Sequence, residues 1–269
     1  MKQFFKCVRG EMLKQHKNYF HSPIIYVSLF LWPLISFIAT YYSFKPFNLN
    51  NSKIPYVNKD NIIIFLLLGY MCMSFFRSLV QSAWNFSFER VSGTLELIFL
   101  SPASRQGVIL GNAIASLFES VFIMVVFSII IFILKHQYFN INFVAALVVF
   151  FLMLVMAVLW GMFLNALFLF SRDSGFLFTV LEEPMEIFSG VKVPAALFPA
   201  WAKIISFIFP LTYVIEAVRK VFLDKSSLYE IRGFIFISLV IIIGMYVFTS
   251  VALQAAEKHA RKTGNMTLF

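Results

Sequence analysis

Asn142–Phe170 reads NFVAALVVFFLMLVMAVLWGMFLNALFLF, without a single charged residue. A membrane-crossing helix needs about 20 mostly apolar residues. This run exceeds that length, so it reads as a transmembrane helix long enough to tilt or protrude. Runs of the same kind lie on both sides of it. Ile24–Phe44, Asn61–Ala83 and Gly107–Leu134 precede it, and Ser174–Gly190 and Arg232–Leu253 follow. The reading is an all-α integral membrane protein with six transmembrane helices, folded as a single membrane domain over residues 1–269. Composition agrees: of 269 residues, 60% are hydrophobic, 18% aromatic and 13% charged. A soluble domain carries about 25% charged residues, and so few charges could not cover a water-facing surface.

The ends of the runs carry the topology. Residues 1–22 hold Lys2, Lys6, Arg9, Lys14 and Lys17, with Phe4, Val8, Met12 and Tyr19 recurring at roughly helical spacing. That pattern predicts an interfacial amphipathic helix in the headgroup layer, not a cleaved leader. Lys258, Arg261 and Lys262 follow the last run. The excess of Lys and Arg at both ends sends both termini to the cytoplasm, although Lys192 to Arg232, an outer segment in this topology, also holds basic residues. Val193 to Phe209 is apolar but interrupted by Pro194, Pro199 and Pro210. It reads as a re-entrant pair of short helices within an outer segment spanning 191–219, before the last span. Such backbone must be buried in protein or face water.

Several chemistries are missing. The chain has no Gly-x-x-x-x-Gly-Lys-Ser/Thr phosphate loop, no Cys/His cluster with zinc spacing and no Gly-x-Ser-x-Gly elbow. Cys7 and Cys72 are too few for a disulfide framework. No catalytic, cofactor or metal residue is expected, and the chain does not read as an enzyme.

Between the second and third runs lies Phe88–Ser101, FERVSGTLELIFLS, followed by Pro102-Ala-Ser-Arg105. Ser92 or Thr94 can cap a short helix, Glu96 near its start suits the helix dipole, and Pro102 ends it. Leu95, Ile98 and Phe99 give that helix one apolar face. The order Glu89-Arg90-x-x-Gly93-Thr94-Leu95-Glu96, an apolar patch, then Ser101-Pro-x-Ser-Arg105 resembles the coupling segment of ABC exporter permeases of the type-2 family. That family includes bacterial drug, polysaccharide and peptide exporters. A second similarity sits late in the chain. Ser189-Gly190-Val191, Pro194, Phe198-Pro199-x-Trp201 and Pro210-Leu-Thr-Tyr213-Val-Ile-Glu216-Ala-Val-Arg219 resemble the family's outer re-entrant stretch. Lys192-Val193 departs from two bulky residues common there.

The resemblance implies a membrane subunit of an ATP-driven exporter in the bacterial cytoplasmic (inner) membrane. It would pair with a second copy of itself or a related permease. A separate ABC-type ATPase subunit would bind ATP and magnesium and push on a cytoplasmic coupling helix, 88–101. The exported substrate stays open, and no nucleic acid is implied. Membrane lipids are a further expected partner, since the net charge of +9 suits anionic headgroups.

Ionisable groups inside spans are costly and point to function. Glu182, Glu183 and Glu186 fall in the fifth run, with Glu182 and Glu186 on one helical face. One reading is a translocation path for cationic or amphipathic cargo. The other is pairing with Lys192, Lys203 or Arg219. Glu119, in the third run, is a further candidate for the path or for pairing at a helix seam. Arg77 is expected to snorkel to the headgroups. Glu216 and Arg219 are spaced to meet across one turn. The alternative function is a secondary transporter using the glutamates as a proton relay.

Overall fold

The computed structural model describes residues 2–19, 23–46, 61–94, 97–98, 101–135, 141–170 and 178–263. Their regular structure is helical. In chain order, α1 is Lys2–Tyr19, α2 Pro23–Phe44, α3 Ile62–Val91, α4 Arg105–Lys135 and α5 Phe143–Phe170. A π-helical turn, Phe178–Glu182, leads into α6, Glu183–Phe188. A 3-10 turn, Ala195–Leu197, precedes α7, Ala200–Ile208, then α8, Pro210–Leu223, and α9, Arg232–Thr263.

Four helices are long and apolar enough to cross a membrane: Ile62–Val80 within α3, Gln106–Leu134 within α4, Phe143–Leu167 within α5 and Arg232–Ala255 within α9. The α7–α8 pair passes the same test jointly but is bent by 95°. With that pair counted once, the described residues hold up to five spans where the sequence predicts six. Two expected spans account for the difference. α2 is helical over Pro23–Phe44, but its apolar stretch among the described residues is Phe30–Phe44. The fifth expected run, 174–190, is helical only over Phe178–Phe188 among the described residues, about 16 Å of rise. It then turns at Gly190, whose φ of +87° suits a residue without Cβ.

Burial ranks the spans. In α3, 89% of the Ile62–Val80 window is buried; in α9 only 11% of the Arg232–Ala255 window is. Hydropathy cannot separate these two, because lipid and protein interior are equally apolar. α3 is the axis. α4, α5 and α8 pack around it, while α9 lies outside against α5. Close approach uses small residues: a Cβ on Gly161 of α5 would meet Leu79 Cβ of α3 at 3.2 Å and Ala113 Cβ of α4 at 3.5 Å.

A proline break, expected in this segment, lies between α7 and α8. Phe209 is extended, at φ −88° and ψ 121°, as a residue before proline should be, and Pro210 starts α8. Thr212 Oγ1 donates to the Ser206 carbonyl at 2.8 Å, satisfying an acceptor that the bend strips of its helical partner.

α1 is helical as predicted, but it runs along α4. A Cβ on Gly107 would meet Phe4 and Cys7, one on Gly111 would meet Val8 and Glu11, and the His16 ring faces Phe118. Numbers rise together on both helices, so they are parallel neighbours for about three turns. Gly107 and Gly111 permit the approach: the Gly111 position lies 2.8 Å from both the Val8 carbonyl oxygen and Glu11 Cβ.

Candidate functional site

The site is built on α3. Arg77, on a helix otherwise apolar to Val80, meets two carboxylates from the segment after residue 177. Its Nε lies 2.6 Å from Glu182 Oε1, and its Nη2 donates to Glu186 Oε2 at 3.0 Å. Lys192 Nζ reaches Glu186 Oε1 at 2.9 Å. Glu182 is 1% exposed and Arg77 29%. Low-dielectric surroundings make such charges tolerable only as pairs. The reading of Arg77 as a snorkelling residue is therefore corrected: its guanidinium is turned to carboxylates 105 and 109 residues later, which sequence spacing does not reveal. The expected Lys192 pairing holds, through Glu186. Glu183 is exposed. Glu119 is buried on α4, its Oε2 without a hydrogen-bond partner, and belongs to none of these pairs.

Toward the α3 C-terminus, polar side chains fasten α3 to α4 and α5. Ser78 and Ser120 share a hydroxyl hydrogen bond, and Ser120 donates to the Phe75 carbonyl at 3.0 Å. Asn112 Nδ2 donates to the Ser82 carbonyl at 2.7 Å, and Asn165 Nδ2 to Ser82 Oγ at 2.8 Å. Polar groups at membrane depth need partners within the protein. These bonds fasten α3 to α4 and α5 between Phe75 and Ser82.

The end of α3 lies at the predicted coupling segment. Phe88–Val91 are the last residues of α3, not the start of a separate helix. Gly93, at φ +69°, ends α3 in the left-handed conformation. Thr94 and Leu97–Ile98 are helical again; Leu95 and Glu96 lie outside the described residues, as does the side chain of Arg90. Ser92 or Thr94 is the expected cap of the short helix, and Thr94 is placed at the junction. Its hydroxyl instead turns back to Glu89, to the carbonyl at 3.1 Å and to the carboxylate. It thereby satisfies the C-terminus of α3. Glu89 also receives Lys14 of α1 at 2.8 Å, and Lys14 meets Glu11 at 2.9 Å. Burial works against the Lys14 charge, but Glu11 and Glu89 outweigh it and raise the ammonium above its usual range. Gln3 donates to the Pro102 carbonyl at 2.8 Å. α1 thus touches the segment before Gly93 and the segment after Ser101.

The outer motif converges on Arg219, 1% exposed on α8. Its guanidinium donates to the carbonyls of Gly190 at 2.7 Å, Val191 at 2.8 Å and Phe65 at 3.3 Å. It also stacks 3.6 Å from the Phe65 ring centre. Arg219, spaced on α8 to meet Glu216, also binds backbone from the turn after α6 and from α3. Gly69 leaves room for this: a Cβ there would lie 2.5 Å from the Val191 oxygen and 2.8 Å from Arg219 Nη2. Glu216 is partly buried on α8, Pro210 sets the bend, and Tyr213 donates to the Phe207 carbonyl at 3.3 Å. Pro194 and Pro199 precede the 3-10 turn and α7, each in extended conformation by ψ.

Arg77, Lys14, Glu11 and Gly69 were not among the expected site residues. A charge within an apolar run, and Gly107, Gly111 and Ala115 at helical spacing, were the signals available.

Comparison with known proteins adds to this geometry. A family model described as ABC-2 type transporter matches residues 2–223. A chain of Cyanophora paradoxa named as a transport permease, ycf38, is 26% identical over 223 residues, covering 79% of this chain and 74% of that one.

Proposed function

The chain belongs to the ABC-2 type transporter family and is a transport permease, the membrane subunit of an ABC transporter; we propose that it is an exporter moved by a separate ATPase. The proposal places it in a bacterial cytoplasmic membrane with both termini in the cytoplasm. It is paired there with a second copy or a related permease, while ATP and magnesium stay on the ATPase. One observation carries the reading. α3 runs unbroken from the Arg77 ion pairs to Glu89, about 18 Å, and stops at Gly93, where the coupling segment begins. A push on Gly93–Glu96 reaches the membrane interior along α3, and the serine and asparagine bonds carry it to α4 and α5.

Glu182 and Glu186 are neutralised by Arg77 and Lys192, so they are assigned to holding the segment after residue 177 against α3. The same pairing disfavours a proton relay. Glu183, exposed next to them, is the carboxylate available to a cationic, amphipathic cargo. The outer motif around Gly190 and Arg219 is assigned a structural role, closing the outward side.

The test begins with purification of the tagged chain from its native membrane. An ATPase subunit bearing a phosphate loop is expected to co-purify. A Cβ at Gly93 would meet nothing within 4 Å, so the cost of a side chain there is that of its left-handed backbone, φ +69°. Asparagine accepts a left-handed backbone better than most residues. Gly93→Asn should keep the ATPase and Gly93→Trp should lose it, while the left-handed backbone costs the tryptophan variant no more than about 1–2 kcal/mol of stability and the chain stays folded. Transport by the chain alone, without any ATPase, would refute the reading.

A further inference from the structure

We infer that the groove between α1 and α4 binds an acidic phospholipid, with its phosphate on Arg9 and an acyl chain along α4. Arg9, Met12, Leu13 and His16 follow the i, i+3, i+4, i+7 spacing of one helix face, and all four are exposed. Ile114, Leu117, Phe118 and Val121 repeat that spacing on α4. Because α1 and α4 are parallel neighbours, the two stripes face each other and enclose a groove of about 420 Å³. Arg9 stands at its end toward the α4 N-terminus. Beyond the other end, α4 continues with exposed Val125, Ile129 and Phe132.

Three features select the occupant. The walls are apolar apart from Arg9 and His16, which suits an acyl chain better than a free anion or a polar peptide. The charge at the mouth is unopposed on its own helix: Glu11, the acidic residue of α1, is turned to the buried face and paired with Lys14. Lys6 and Lys17 are exposed on the same helix, and basic residues near a membrane surface attract anionic headgroups. Arg9 is level with the second turn of the Gln106–Leu134 span and the groove walls with its third to fifth turns, so a phosphate held by Arg9 sends its acyl chain along α4 toward the middle of the span. His16 lies two turns further in than Arg9, within reach of the ester region of a lipid held there. The inference does not depend on the direction of transport or on an ATPase.

The test uses the full chain in detergent, titrated with dioleoyl phosphatidylglycerol or dioleoyl phosphatidylcholine and read by native mass spectrometry. The single-lipid adduct should be at least five-fold more populated with phosphatidylglycerol. Arg9→Glu should bring it down to the phosphatidylcholine level, and Arg9→Lys should keep most of it. Lys258→Glu, an exposed basic residue of α9, should leave it unchanged. Equal adducts for the two lipids would overturn the proposal. So would an equal loss in Arg9→Glu and Lys258→Glu, which would mean attraction to the overall charge of the chain. Complete displacement of phosphatidylglycerol by millimolar inorganic phosphate would also overturn it, because the site would then hold a free anion.

Discussion

Replacing Arg77 by methionine isolates the role of the central ion pair. Glu182 is 1% exposed and has Arg77 at 2.6 Å, whereas Glu186 would still have Lys192 at 2.9 Å. Removing one member of a buried pair costs about 3–5 kcal/mol, because a buried charge is left without a counterion. Arg77 is 29% exposed, and the water it meets favours the lower end of that range. A loss of about 3 kcal/mol, at about 2–4 °C per kcal/mol for a chain of this size, lowers the melting temperature by about 6–12 °C. The double variant Arg77→Met/Glu182→Met removes both charges and should recover most of that loss, with a coupling energy of about 2 kcal/mol. Glu186→Gln should cost less than about 1 kcal/mol, since Arg77 keeps Glu182 and Lys192 is a half-exposed cation that water can solvate. Thermal unfolding of the purified variants in one detergent, followed by tryptophan fluorescence, measures all of these without a transport assay. A double variant no more stable than Arg77→Met would refute the claim that Arg77 neutralises Glu182. A single variant within 2 °C of the parent, against the ~6 °C minimum above, would do the same.

Gly69→Ala drives a methyl group against the Val191 carbonyl and the Arg219 guanidinium, neither free to yield, and should cost about 1–3 kcal/mol. Gly244→Ala is its control: nothing lies within 4 Å, so gaining a better helix former should leave the melting temperature equal or higher. Gly111→Val pushes on the Val8 carbonyl and should free α1 from α4, read as faster tryptic cleavage within residues 2–19 while the rest of the chain stays protected. The Lys14 pairs add a pH dependence of definite sign. The folded ammonium titrates above the ordinary lysine value of 10.5, so its contribution is fully present below pH 10.5 and is lost as pH rises through the folded value. Protection of α1 should therefore be flat from neutral pH to about 10 and fall above that, and Lys14→Met should abolish the alkaline step. A fall beginning near neutrality would contradict the Lys14 assignment.

What could be read from the chain beforehand follows from what a helix makes local. Runs such as Asn142–Phe170 declare a membrane helix because length and absence of charge are properties of one segment. Pro210 announced the α7–α8 break because proline acts on its immediate neighbour. Partners across the bundle were hidden. Helical spacing says that Glu182 and Glu186 share a face, but not that α3 lies opposite with Arg77. Arg219 is hidden more deeply, because its partners are carbonyls, which every residue has. The end of α3 was misjudged for a physical reason. Gly93 was read as part of a short helix, yet its positive φ marks the end of the long one, and Thr94 serves that end. The fifth run has the composition of a span, but composition does not show that its described helix, Phe178–Phe188, opens with a π-helical turn.

The grip of Arg219 on main-chain oxygens sets different evolutionary latitudes for its neighbours. A carbonyl survives almost any substitution of the residue that bears it, so Val191 can drift among apolar types without loosening the clasp. Position 219 has no such freedom. A lysine ammonium concentrates its donors at one point and cannot span acceptors contributed by Gly190, Val191 and Phe65 as a planar fork does. Descendants of this sequence should therefore diverge widely around that arginine while retaining it, together with the absent side chain at 69 that lets it in.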